Sequence, residues 1–257
     1  MNTTLCARVR VNRLLDREQP MTSPPFANKI ASAGPVASNA LQDASPRRRV
    51  VSAATLVVGS GVLAWSLRLP PGDALFYPGT LLLALTWIGG ARLSGPLPPR
   101  HRRTGESRLR VLAEALAAGL ILVTIFLVGA VVVSLIPALA TPVQELLDHA
   151  RKGNLLLVAA ITAANGLAEE LFFRGALFAA LPRRWQLAGT TVAYTVVTAL
   201  SGVPLLALAA LLLGVVVALQ RRATSGLLAP VVTHLVWSLG MLLLLGPTLS
   251  TASRLLH

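Results

Sequence analysis

The sequence predicts an all-α fold, a polytopic membrane bundle of about seven transmembrane helices. Three observations predict it. Hydrophobic residues make up 54% of the 257 positions and charged residues only 13%, with a mean hydropathy of +0.68, a balance no ordinary soluble domain shows. Nearly uncharged stretches long enough to cross about 30 Å of hydrocarbon recur along the chain. None of them alternates with the period of two expected of a membrane barrel, and a backbone in lipid must satisfy its own hydrogen bonds, which leaves helices.

The spans follow in order. The first is Val50–Leu67, the second Ala74–Gly90, the third Val111–Ala138 and the fourth Leu155–Leu181. The fifth, Leu187–Leu200, is short and rich in small residues; Pro204–Leu219 and Gly226–Leu245 complete the set. Residues 49–140 thus hold the N-terminal transmembrane helices and residues 155–247 a core of four more. Residues 1–48 are rich in Ser, Pro, Ala and Arg and carry no sustained apolar period, which predicts a disordered basic cytosolic tail. No short apolar core precedes a small-residue cleavage site there, so no secretory signal is expected, and Met21 is an alternative start to Met1. The single cysteine, Cys6, lies in this tail, which excludes an intrachain disulfide and thiolate chemistry within the membrane.

A formal net charge of +13 raises the question of nucleic acid, but its distribution answers for a membrane. Arginines cluster at Arg47–Arg49, between Arg92 and Arg110, at Arg183–Arg184 and at Arg221–Arg222, and seven spans put all four clusters on one side. The opposite loops hold Arg68, Arg151 and Lys152. This is the positive-inside pattern, and it predicts a multi-pass cell-membrane protein with a cytosolic N-terminus and an outside C-terminus. The basic runs lack the aromatic interleaving of a nucleic-acid surface, so the expected partner is the lipid bilayer.

The fourth span carries charges that lipid disfavours. In LAEELFFRGAL, Leu167–Leu177, Glu169, Glu170 and Arg174 lie within six residues, and each charge near a bilayer centre costs about 2.5–3.5 kcal/mol on insertion scales. Glu170 and Arg174 are i,i+4 partners on a helix, the glutamate on the favourable N-terminal side. Glu169 is rotated about 100° from Glu170 and has no such local partner; Asn165 lies one turn before it on the same face. Interfacial snorkelling of Arg174 is the plain alternative, but Glu169 stands 12 residues from Leu181, about 18 Å from the cytosolic end. Of the four histidines only His234 lies within a span, about 12 Å from its cytosolic end. A lone helical histidine is commonly a structural hydrogen-bonding group; the match in depth with an unpaired carboxylate points to chemistry instead. Thr198, about 16 Å into the fifth span, falls in the same layer.

The element Glu169-Glu170-x-x-x-Arg174, followed by Gly175 and an apolar helix, resembles the first motif of the CPBP intramembrane protease family, which includes the type II CAAX prenyl endopeptidases and the bacterial Abi and bacteriocin-immunity-like proteins. The stretch SGLLAPVVTHLVWSL, Ser225 to Leu239, is similar to the family's last motif. The family's middle motif, an aromatic residue, three others and a histidine, falls on Tyr194 to Thr198, with threonine in the histidine's place. The asparagine usual four residues after the last histidine is Ser238 here.

The resemblance implies an intramembrane endopeptidase acting on a membrane-anchored or prenylated protein segment. Glu169 would then be the base that activates water, His234 the second polar group, and Glu170 with Arg174 an ion pair holding the helix; Ser238 is placed to donate toward an oxyanion. Zinc is the metal such a metalloendopeptidase would hold, with His234 and Glu169 its donors. Yet a catalytic zinc takes three protein ligands, and adjacent carboxylates on a helix diverge. A catalytically silent relative, kept as a membrane scaffold or immunity-type partner, is the alternative. A small transporter ranks last, since no pair of corresponding broken helices suggests inverted repeats. The discriminating position is Thr198: a role filled by another polar group such as Tyr194 favours the enzyme, and a threonine facing lipid or a dry core favours the scaffold.

Overall fold

Each helix begins and ends where local chemistry directs. In the computed structural model, which describes residues 45–70, 73–98, 107–136, 141, 143, 147–148 and 154–256, α1 spans Pro46–Ser66. The Ser45 side chain caps it by accepting from the Arg48 N–H, and proline sits in its first turn, where a missing N–H costs nothing. Helix α2, Phe76–Ser94, stops at Gly95, whose φ of +131° few side chains tolerate. Ser107 caps α3, Arg108–Ser134, and Asn154 caps α4, Leu155–Glu169, by accepting from the N–H groups of Leu156 and Leu157. Helix α4 runs on without a break into a π-helical segment, Glu170–Leu177, and closes with Phe178–Ala180. Helix α5 is Gln186–Ala199, α6 Pro204–Thr224 and α7 Leu228–Leu256.

The described residues form helices and no strand. Five of the seven helices, α1, α3, α4 with its extension, α6 and α7, are long and apolar enough to cross a membrane. Helix α5, with 14 residues, rises only about 21 Å, and α2 is diluted by Tyr77, Pro78 and Arg92. A helix occurs at each of the seven expected positions, with shifted ends. Helix α1 starts at Pro46, so Arg47–Arg49 occupy its first turn and not the tail. Helix α7 continues past Leu245 to Leu256, through Pro247. The rest of the expected tail, with Met21 and Cys6, lies outside the described residues.

Helix α3 packs along α7, α5 along α6 and α1 along α2, while α2 and α7 flank α4. Small residues let the α1–α2 backbones approach: a Cβ at Gly59 would collide with the Trp87 ring, and one at Gly90 with Thr55. Trp87 is fully buried and stacks on Phe172 at 4.9 Å, with Phe173 at 5.2 Å. The first helical pair thereby buttresses the π-helical segment. Valine at Gly59 is expected to expel Trp87 and to destabilise the fold by about 1–3 kcal/mol, whereas Gly61→Val, where an added Cβ meets nothing within 4 Å, should not. Thermal unfolding of both variants in detergent measures the difference; equal midpoints would show that the Gly59–Trp87 contact is dispensable.

Interhelix contacts gather the arginine-bearing helix ends at one end of the bundle. Arg48 Nη2 donates to the Pro96 carbonyl at 2.9 Å, joining the start of α1 to the chain beyond α2. Thr233 Oγ1 donates to the Ala115 carbonyl at 2.9 Å, and Gln220 Nε2 donates to Thr233 Oγ1 at 2.8 Å, tying α3, α6 and α7. Arg221 Nε donates to the Arg174 carbonyl at 2.9 Å, tying α6 to the π-helical segment. The candidate site lies just inside this end.

Candidate functional site

Glu169 and Glu170 stand where α4 turns from α- to π-helical geometry, a local widening frequent at functional sites. Glu170 Oε1 accepts from Arg174 Nη1 at 3.1 Å, one turn on, and both side chains are completely buried. The expected ion pair is present, but it is not self-contained. The same Oε1 lies 2.8 Å from His234 Nδ1, so a helix from 64 residues later joins the pair. A carboxylate oxygen can only accept, which places a hydrogen on Nδ1 and turns Nε2 outward.

Nε2 faces the other carboxylate, with Glu169 Oε2 at 3.8 Å. Both glutamates therefore address one imidazole, one at each ring nitrogen. The adjacent carboxylates diverge, as expected of neighbours on a helix, and flank the ring from its two sides at the point where the helix widens. Gly166 abuts that ring, where a Cβ would stand 3.5 Å from Cδ2. Side-chain exposure separates the roles of the two acids, since Glu169 is 18% exposed and Glu170 0%. Glu169 is the carboxylate that keeps some side-chain surface open.

Arg174 is held on three sides. Besides Glu170, its Nη2 donates to the Gly214 carbonyl on α6 at 3.3 Å, and its guanidinium carbon lies 4.8 Å from the Tyr194 ring centre. Tyr194, on α5, donates its hydroxyl to Glu169 Oε2 at 2.8 Å. Thr198 does not join them: it is buried, and its hydroxyl donates to the Tyr194 carbonyl at 2.8 Å. Tyr194 reaches Glu169 because its longer side chain crosses to α4, while the shorter Thr198 bonds its own helix. Ser238 likewise donates to its own helix, at the Leu235 carbonyl, 3.4 Å away. Asn165 Nδ2 donates to Ile161, and its Oδ1 is buried without a protein partner.

Two contributors were not expected at the site: the Gly214 carbonyl and Arg221, both in contact with Arg174. Backbone acceptors leave no mark in sequence. Arg221 was legible only as one of a basic pair at a helix end.

The cavity between α3, α6 and α7, about 280 Å³, is apolar and is walled by Phe126, Val133, Leu205, Ala209, Trp237 and Leu249. It meets the site only through Trp237, whose ring centre is 6.3 Å from that of His234.

The geometry is that of a buried Glu–His–Glu array with one partly exposed acid. Residues 151–240 match the family model of type II CAAX prenyl endopeptidases, Rce1-like. The resemblance read from the glutamate motif and the closing histidine segment therefore holds over about a third of the chain. No curated protein and no solved structure matches the chain. The matched segment contains Glu169, Glu170, Arg174, Tyr194 and His234, and at family level it supports an intramembrane protease of the CAAX type acting on membrane-associated substrates.

A catalytic zinc ion would need three protein donors converging on one point. Glu169 Oε2 and His234 Nε2 converge, but Glu170 Oε1 is engaged by Nδ1 and Arg174, and the Thr198 hydroxyl is engaged by its own helix. Among the described residues no three His, Cys, Asp or Glu side chains are placed to hold one ion. Two donors do not fit a three-ligand catalytic zinc site.

Proposed function

We propose that the protein is an intramembrane endopeptidase of the CAAX prenyl type, which cleaves the C-terminal segment of membrane-associated, prenylated proteins with water activated by Glu169. One observation carries the reading: the Glu169 carboxylate faces His234 Nε2 across 3.8 Å, while Glu170 holds the opposite ring nitrogen at 2.8 Å. With the hydrogen on Nδ1, two acceptor atoms face each other without a hydrogen between them. A water that donates one hydrogen to each satisfies both and presents its lone pair outward, toward a bound carbonyl carbon.

Glu169 takes the proton as the water oxygen attacks, and the carbonyl electron pair moves onto oxygen. When the tetrahedral intermediate collapses, the C–N bond breaks and the same acid returns its proton to the departing amine. His234 keeps the water in line, and Glu170 and Arg174 keep His234 in place. Desolvated, fixed charges of this kind need no reorganisation during the reaction.

The site opens toward the cytosol in this reading, because the arginine-bearing helix ends lie at its end of the bundle. An impermeant maleimide should then label Arg184→Cys, in a Cys6→Ser background, from the cytosolic face alone; labelling from the outer face would reverse the topology. Cleavage of a prenyl-cysteine peptide ending in three further residues, by protein reconstituted in vesicles, tests the activity. Hydrolysis that Glu169→Gln abolishes is expected. Wild-type protein that leaves a panel of such peptides intact would favour the scaffold.

A further inference from the structure

We propose that the Tyr194 hydroxyl is a catalytic donor at this site, supplying the hydrogen bond that stabilises the oxyanion; the inference rests on the hydrolytic reading above. The hydroxyl sits where a donor is required, 2.8 Å from Glu169 Oε2, the oxygen that also faces His234 Nε2. Thr198, the residue matching the usual middle-motif histidine, bonds its own helix, as does Ser238. Neither touches Glu169, so the polar contact from α5 comes from tyrosine.

The ring is immobilised and its hydroxyl is not. Phe173 meets the ring edge-on at 5.0 Å, the Arg174 guanidinium lies over it at 4.8 Å, and His234 stands at 6.3 Å. Only rotation of the O–H bond is left to redirect its hydrogen. In the resting site that hydrogen goes to the Glu169 carboxylate. Once the carboxylate has accepted a proton from water it becomes a much weaker acceptor, at the moment when the substrate oxygen becomes a strong one. The hydroxyl then transfers its hydrogen bond, without giving up its proton, from acid to oxyanion. As the intermediate collapses, the oxygen's electron pair re-forms the carbonyl, the amine leaves with the proton from Glu169, and the hydroxyl returns to the regenerated carboxylate. The Arg174 cation beside the ring favours negative charge at this position throughout. The interaction strengthens in the transition state relative to the ground state, which is what raises kcat.

Tyr194→Phe removes one oxygen and leaves the ring packing intact. With the prenyl-cysteine peptide as probe, kcat is expected to fall about 10²–10³-fold, the usual cost of one oxyanion donor, with KM and the thermal midpoint unchanged. Thr198 is one turn from Tyr194 on α5, so Thr198→His in the Tyr194→Phe background should restore part of the lost rate by offering a ring N–H from a neighbouring position. A phenylalanine variant with wild-type kcat would overturn the inference. So would a loss that appears as raised KM or a lowered midpoint, because that is the mark of a structural tyrosine. Failure of the underlying reading is distinguishable: wild-type protein would then show no Glu169-dependent cleavage at all.

Discussion

Glutamine at position 169 is expected to lower kcat about 10²–10⁴-fold, a loss of about 2.7–5.4 kcal/mol of transition-state stabilisation. The amide keeps the shape of the carboxylate and still accepts from Tyr194, so the helix contacts survive. It cannot take a proton from water, and it returns none to the leaving amine. Both halves of the reaction therefore fail, and the loss should appear in kcat and kcat/KM equally, with peptide binding retained. Glu169→Asp retracts the carboxylate by one methylene, away from both Nε2 and the tyrosine hydroxyl. It should retain some activity but less than wild type, because proton transfer needs contact within hydrogen-bond reach. Comparable rates for wild type and the glutamine variant in proteoliposomes would remove Glu169 from the chemistry. The partial exposure of Glu169 predicts, in addition, that Glu169→Gln folds and inserts normally, which separates it from every substitution at Glu170.

How far this site could be read in advance depended on the range of each interaction. The Glu170–Arg174 pair is four residues apart on one helix, so its spacing announces it. The meeting of Glu169 and His234 followed from counting depth along two spans, because topology places polar groups in a common layer even when rotation is unknown. Rotation is what depth cannot supply. The contact of Glu170 with Nδ1 depends on the azimuth of α7 and on the π-helical widening, and neither has a periodic signature in ELFFRGAL. The same ignorance left the middle position open between Thr198, by its place in a motif, and Tyr194 one turn before it. The distance from α5 to α4 is spanned by a tyrosine and not by a threonine, a matter of side-chain length that emerges only once the helices are placed. The helices themselves were legible because hydropathy is a sum over many residues, while their ends were set by single caps such as Ser45, so α1 began earlier than the apolar run.

Breaking the buried ion pair from one side is expected to be costlier to stability than deleting it altogether. Glu170→Leu leaves the Arg174 guanidinium with the Gly214 carbonyl at 3.3 Å and no countercharge, in a place where the side chain has no exposure to water. Arg174→Met leaves the Glu170 carboxylate with only the imidazole hydrogen. Each uncompensated charge should destabilise the fold by about 3–5 kcal/mol. In the double variant no charge remains to be desolvated, and the two apolar side chains occupy similar volume beside Phe172 and Phe173. It should be more stable than either single variant, with a coupling free energy of roughly 0.5–3 kcal/mol or more between the two positions. Unfolding midpoints of the four proteins in one detergent measure this cycle. Strict additivity would show that the charges act independently and that the helix is held by its aromatic packing alone. Activity should follow a different rule, because the recovered fold does not recover the carboxylate that holds His234 Nδ1. The imidazole then loses its fixed tautomer and orientation, and Nε2 no longer faces Glu169 in register. A stable double variant that remains inactive would separate the two duties of Glu170, neutralising an arginine and aiming a histidine. A stable double variant that cleaves at the wild-type rate would leave Glu170 with the first duty only.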